Sequence, residues 1–132
     1  MTKPIWIEAE LVLAIHDRQL AEHGGAAGMR DEALLHSALG RPINQFAYES
    51  TDVVELAAKY TAGIVKNHPF VDGNKRTGFV VGILFLELNG YRFTASEEAA
   101  AQAVLELAAG AIDEKAFSEF VRANSKRTKA HR

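Results

Sequence analysis

The residues best able to do chemistry stand together in one stretch, His68-Pro-Phe-Val-Asp-Gly-Asn-Lys-Arg76. It joins a base (His68), a carboxylate (Asp72), a flexible glycine (Gly73), an amide (Asn74) and two cations (Lys75, Arg76). A histidine titrates near neutrality and suits general-base work on a hydroxyl. Asp72 suits Mg2+, a hard cation that prefers carboxylate and phosphate oxygens, and equally suits a helix N-cap. Gly73 and Asn74 tolerate left-handed backbone and can curl their amides into an anion-binding nest. Lys75 and Arg76 fall in the first turn of an expected helix, where the macrodipole disfavours cations by roughly 0.3–1 kcal/mol each. An anion held at that helix start, most simply a nucleotide phosphate, offsets the cost. Each feature has an ordinary reading: a histidine at a helix C-terminus, a turn at Gly73-Asn74, cations in solvent or paired with glutamates. Phe70 reads as an anchor into the core, with no chemistry. The combination within nine residues matches the parts needed for phosphoryl-type transfer. It is neither a Walker P-loop nor a kinase glycine-rich loop, since neither spacing occurs.

The elements around this stretch must form a single domain. The chain has 132 residues, 48% of them hydrophobic, with a net charge of −2 and no cysteine. That excludes disulfides and thiolate chemistry and gives no general attraction to nucleic acid. The basic end, Lys126-Arg127-Thr-Lys129-Ala-His131-Arg132, is expected to be a frayed, solvated tail, so no direct nucleic-acid binding is expected. The start, Met-Thr-Lys-Pro-Ile-Trp, lacks the apolar stretch of a signal peptide, and the longest apolar run is far short of the roughly 20 residues of a membrane span. A cytoplasmic protein without membrane contact is expected.

Periodicity predicts an all-α bundle of about six helices over residues 1–125, with the tail at 126–132. A first helix runs from Ile7 to about His23 and stops at Gly24-Gly25. Asp31 caps a second, which reaches about Leu39 and is broken by Gly40-Arg41-Pro42; residues 43–50 are expected as a hairpin or extended flap. Thr51 or Asp52 caps a third helix to about Lys66, which Pro69 ends. A fourth, apolar almost all round, runs from Asn74 to Leu88 and marks the centre of the core, with Asn89-Gly90 as its stop. Tyr91 to Thr94 is short and extended. Two more helices follow, opened by Ser96 and Asp113 and separated by Gly110.

The stretch resembles the Fic/Doc family signature, His-x-Phe-x-Asp/Glu-Gly/Ala-Asn-x-Arg, and is most similar to the Doc (death-on-curing) branch of toxins. The likeness extends to Gly24-Gly25-x-x-Gly28-Met29, to Gly40-Arg41 with Ala47-Tyr48-Glu49, and to Leu84-Phe85-Leu86 before Asn89-Gly90. It implies a Fic fold with the signature loop between two central helices. It implies His68 as general base towards a target hydroxyl, and Asp72 orienting Mg2+ or that hydroxyl. Gly73, Asn74, Lys75 and Arg76 would surround ATP phosphates, and the segment from Arg41 to about Ser50 would be the flap aligning a target peptide. Most Fic proteins have glycine at the position of Lys75 and transfer AMP. The Doc branch has lysine there and is associated with transfer of the γ-phosphate. The resemblance therefore implies a protein Ser/Thr kinase acting on translation elongation factor Tu and arresting translation. AMP transfer is the first alternative, and a non-catalytic nucleotide- or antitoxin-binding homologue the second. The self-inhibitory Ser/Thr-x-x-x-Glu-Gly/Asn motif is incomplete, because Leu56 follows Thr51-Asp-Val-Val-Glu55. Inhibition is thus expected from a separate Phd-like antitoxin.

Overall fold

The computed structural model describes residues 3–49 and 51–128. Its elements are α1 (Ala9–His23), α2 (Glu32–Glu49), α3 (Val53–Asn67), α4 (Asn74–Leu88), β1 (Tyr91–Phe93), α5 (Glu97–Ala109), α6 (Glu114–Ala123) and β2 (Ser125–Arg127). The all-α expectation holds, with a two-stranded antiparallel ribbon added. None of the described helices is long and apolar enough to cross a membrane.

Helix α3 is the axis of the bundle: ten of its 15 residues are buried. Its N-cap, Asp52, accepts from the Glu55 amide at 2.9 Å. Helix α4 lies against it more extensively than any other pair of elements. Small residues allow this close approach. A Cβ on Gly82 would stand 2.1 Å from Thr61 Oγ1 and 2.9 Å from the Ala57 carbonyl. Tyr60, Phe85 and Trp6 fill one end of the core, with ring centroids 4.9 Å apart for Tyr60–Phe85 and 5.7 Å for Trp6–Phe85. The stop signal acts as predicted. Asn89 caps α4, and its side-chain amide donates to Phe85 and Ile5 carbonyls while its oxygen accepts from the Ile5 amide.

Two expectations are corrected. Helix α2 does not end at Gly40-Arg41-Pro42 but continues through Pro42 to Glu49. The described part of the expected flap is therefore helical, and Ser50 lies outside the described residues. A proline inside a helix costs about 3 kcal/mol. Contacts on both sides of it outweigh that cost here. Leu39 and Pro42 are buried, Arg41 donates to Glu114 at 2.8 Å, Gln45 donates to Thr51 at 2.9 Å, and Phe46 meets the edge of Trp6 at 5.7 Å. The second correction concerns the tail. Lys126 and Arg127 lie in β2, so the expected boundary at 125 falls within a strand. Tyr91 pairs with Arg127 and Phe93 with Ser125, and the Arg127 guanidinium lies 5.4 Å from the Tyr91 ring centre. Residues 129–132 lie outside the described residues.

Candidate functional site

The signature loop crosses from the end of α3 to the start of α4, as expected. Among the described residues, His68 is the only non-glycine with positive φ. It forms the left-handed C-cap of α3 (φ 56, ψ 54), and its amide donates to the Ile64 carbonyl at 3.0 Å. Left-handed backbone costs a side-chain-bearing residue about 1–2 kcal/mol. Arg30 supplies an anchor against that strain: its Nε donates to the His68 carbonyl at 2.7 Å and its Nη2 to the Asn67 carbonyl at 2.9 Å. The backbone of His68 is thereby pinned while its imidazole stands exposed.

Pro69 and Phe70 then turn inward and are buried. The segment from Gly28 to Asp31 straps them down. The Arg30 and Asp31 amides donate to the Pro69 carbonyl at 2.7 and 2.9 Å, and the Val71 amide donates to the Gly28 carbonyl at 3.0 Å. Asn74, 3% exposed, closes the loop from inside. Its Nδ2 donates to the Phe70 carbonyl at 2.9 Å and its Oδ1 accepts from the Phe70 amide at 3.0 Å. The Asn74 side chain is thus committed to loop shape, and what it offers an anion is its backbone amide.

Asp72 does not cap α4. That helix opens on Gly73, left-handed at φ 81, with no side-chain cap. Its first amides are left for a ligand or solvent. The Asp72 carboxylate instead accepts the Gly73 amide at 2.8 Å and the Ala26 amide at 3.2 Å. These two backbone bonds, from Ala26 and then Gly73, hold its pKa below the ordinary carboxylate value, with smaller help from Arg76 and Lys75. Gly25 makes the arrangement possible, since a Cβ there would lie 2.9 Å from Asp72 Oδ2.

Lys75 and Arg76 are exposed on the first turn of α4. Among the described residues neither forms a salt bridge. Both line a cleft of about 760 Å3 that runs from Asp72 and Gly73 along α4 to α5 and β1. Phe79, Ile83, Phe93 and Val104 form its apolar wall. A cationic, amide-rich end and an apolar wall suit a phosphate-bearing organic ligand. As a metal site the arrangement is sparse. Among the described residues no three His, Cys, Asp or Glu side chains cluster. Asp72 alone fits Mg2+, which takes one or two carboxylates together with substrate phosphates. Each Asp72 oxygen keeps a lone pair beyond its amide bond.

Sequence reasoning missed three supports of this loop: Arg30, the Ala26 amide that binds the Asp72 carboxylate in the room left by Gly25, and His16 on α1. Only the glycine run at 24–28 gave a local signal. His16 donates through Nε2 to the Asp72 carbonyl at 2.8 Å across 56 positions of chain.

With the site described, comparison with known proteins gives concordant results. Residues 6–86 match the family described as "Fic/DOC family". The chain is similar to "Protein kinase doc" of Escherichia phage P1, 37% identical over 95 residues, covering 71% of this chain and 75% of that protein. It is also similar to "Toxin Doc" of Mycolicibacterium smegmatis, 36% identical over 76 residues, covering 54% of this chain and 57% of that protein.

Proposed function

The chain belongs to the Fic/DOC family, and from that premise we propose that it is the toxin of a toxin–antitoxin pair and a protein Ser/Thr kinase. It would move the γ-phosphate of ATP to a hydroxyl of a target protein, with elongation factor Tu as the expected target. The observation that carries the reading is the start of α4: amides without a side-chain cap, flanked by the exposed Lys75 and Arg76, one loop away from an exposed and backbone-pinned His68. The name of the phage relative, "Protein kinase doc", supports phosphate rather than AMP transfer.

In this reading His68 takes the proton of the target hydroxyl as its oxygen bonds to the γ-phosphorus. The bond from that phosphorus to the bridging oxygen breaks, and ADP leaves with the electron pair. The charge spread over the phosphate oxygens is met by the Asn74 and Lys75 amides and by the Lys75 and Arg76 cations, while the Gly73 amide holds the Asp72 carboxylate. Mg2+, when bound, neutralises phosphate charge, and Asp72 is the residue that would hold it. Gly25 and Ala26 keep that carboxylate turned to the site. The strap from Gly28 to Asp31 keeps His68 in place, which matters because a misplacement of about 1 Å can cost roughly 100-fold in rate.

A Phd-like antitoxin is the proposed inhibitor. The apolar wall beside Lys75 and Arg76 suits an amphipathic helix, and a helix seated there would exclude nucleotide from the same cleft. The test of the kinase reading uses ATP labelled at either the γ- or the α-phosphate, with purified elongation factor Tu and Mg2+. Label from the γ position alone on the target, abolished by His68→Ala, is the expected result. Label from the α position would replace the kinase with an AMP transferase. Label from neither would leave a binding protein.

A further inference from the structure

His16 is a polar residue buried to 3% exposure on α1, outside the signature stretch. Its ring lies flat on Phe70, with centroids 3.7 Å apart and planes 8° from parallel. Its Nε2 stands 2.8 Å from the Asp72 carbonyl oxygen. That oxygen can only accept, so Nε2 carries the hydrogen. Its Cδ2 and Nε2 also lie 3.6 Å from where a Cβ of Gly73 would be. One ring therefore touches the loop at Phe70 and Asp72 and fills the space that a side chain on Gly73 would face.

We infer that His16 is a positioning residue that fixes the orientation of the Asp72–Gly73 peptide and so aims the Gly73 amide at the Asp72 carboxylate, holding that carboxylate at the site. The peptide is trans, so its carbonyl and amide point in opposite directions. With the carbonyl held inward by His16, the amide must face outward, where it meets the Asp72 carboxylate at 2.8 Å. A restraint is needed because the second residue is glycine. Gly73, at φ 81, has no Cβ to oppose a flip of this peptide, and glycine populates both signs of φ about equally. A flipped peptide would present an oxygen to the Asp72 carboxylate instead of a hydrogen and release that side chain. Stacking on Phe70, itself clamped by Asn74, keeps the imidazole at the right height to prevent this.

The functional half of this inference rests on the kinase reading, but the structural half does not. The experiment separates them by following the Gly73 amide in 1H–15N spectra of the full chain without ligand, alongside ATP-dependent transfer. His16→Phe keeps an aromatic ring on Phe70 and removes the donor. His16→Gln restores an N–H donor at similar reach. The expected result is a displaced, broadened or doubled Gly73 resonance in His16→Phe. The native resonance should return in His16→Gln. Transfer should fall about tenfold or more in kcat for His16→Phe, with KM for the target little changed, and recover with Gln. A Gly73 resonance unmoved in folded His16→Phe overturns the inference, as does a lost native resonance in folded His16→Gln. If His16→Phe does not fold, the Gln variant decides by the same criterion. Absence of transfer in the unmodified chain would count against the kinase reading and leave the resonance test intact.

Discussion

Asn74→Ala separates a loop clamp from a phosphate ligand. The Asn74 side chain bonds both backbone groups of Phe70, at 2.9 and 3.0 Å, in a position 3% exposed. Removing it leaves a buried amide and a buried carbonyl without partners. A buried group so stranded costs about 1–3 kcal/mol. Asn74 also borders the cleft, so water can rehydrate part of the gap, which favours the low end: about 2–3 kcal/mol in total. For a domain of this size that is a fall of about 10 °C in Tm. Thermal unfolding followed by circular dichroism measures it, with ATP affinity determined on the variant below its transition. Asn74→Asp keeps the acceptor for the Phe70 amide but sets a carboxylate against the Phe70 carbonyl, and should lose at least as much. An Asn74→Ala variant that melts within about 2 °C of the parent while losing ATP binding would instead mark the side chain as a ligand and not a clamp.

Gly82→Ala drives a methyl to 2.1 Å from Thr61 Oγ1 and 2.9 Å from the Ala57 carbonyl. It should destabilise by about 2–3 kcal/mol in a denaturant titration. Gly25→Ala would press a methyl against Asp72 Oδ2, 2.9 Å away, at a φ of +124. It should lower transfer about tenfold or more while the far-ultraviolet spectrum stays native. Glu114 accepts from Lys59 at 2.5 Å and from Arg41 at 2.8 Å. Burial alone would raise its pKa, but the bonds from Lys59 and Arg41 outweigh burial and bring it below the ordinary glutamate value. A lowered folded-state pKa means that stability is gained above the unfolded value and lost as pH falls through the folded one. Glu114→Gln should therefore cost about 2 kcal/mol at neutral pH. That difference from the parent should shrink as pH drops below about 4.3.

The chemical stretch and the helix behind it were legible because their signals are local. Pro69 ends α3, Gly73 opens α4, and Asn89-Gly90 closes it. What escaped depends on distant chain. Helix α2 reads as broken at Pro42 because the proline is local, whereas Glu114, which holds Arg41 beside it, is 73 positions away. Lys126 and Arg127, exposed as expected, read as frayed because their strand partners, Arg92 and Tyr91, lie across two helices of sequence. Within the site, residue types indicated a nest and a base but not their supports. Arg30 and His16 act on backbone carbonyls of Asn67, His68 and Asp72, and Ala26 acts through its own backbone amide on the Asp72 carboxylate. Backbone partners leave no mark in residue identity. Asn74 shows the converse: its type suits an anion loop, and its burial turns the side chain to internal use.

In the proposed reaction His68 and the start of α4 transfer a phosphoryl group to a protein hydroxyl. Intact-mass spectrometry of elongation factor Tu after incubation with this chain, Mg2+ and ATP tests it most directly. The expected result is a gain of one phosphoryl mass that falls by about 100-fold or more in rate with His68→Ala. A gain of adenylyl mass, or a phosphoryl gain that His68→Ala leaves intact, would contradict it.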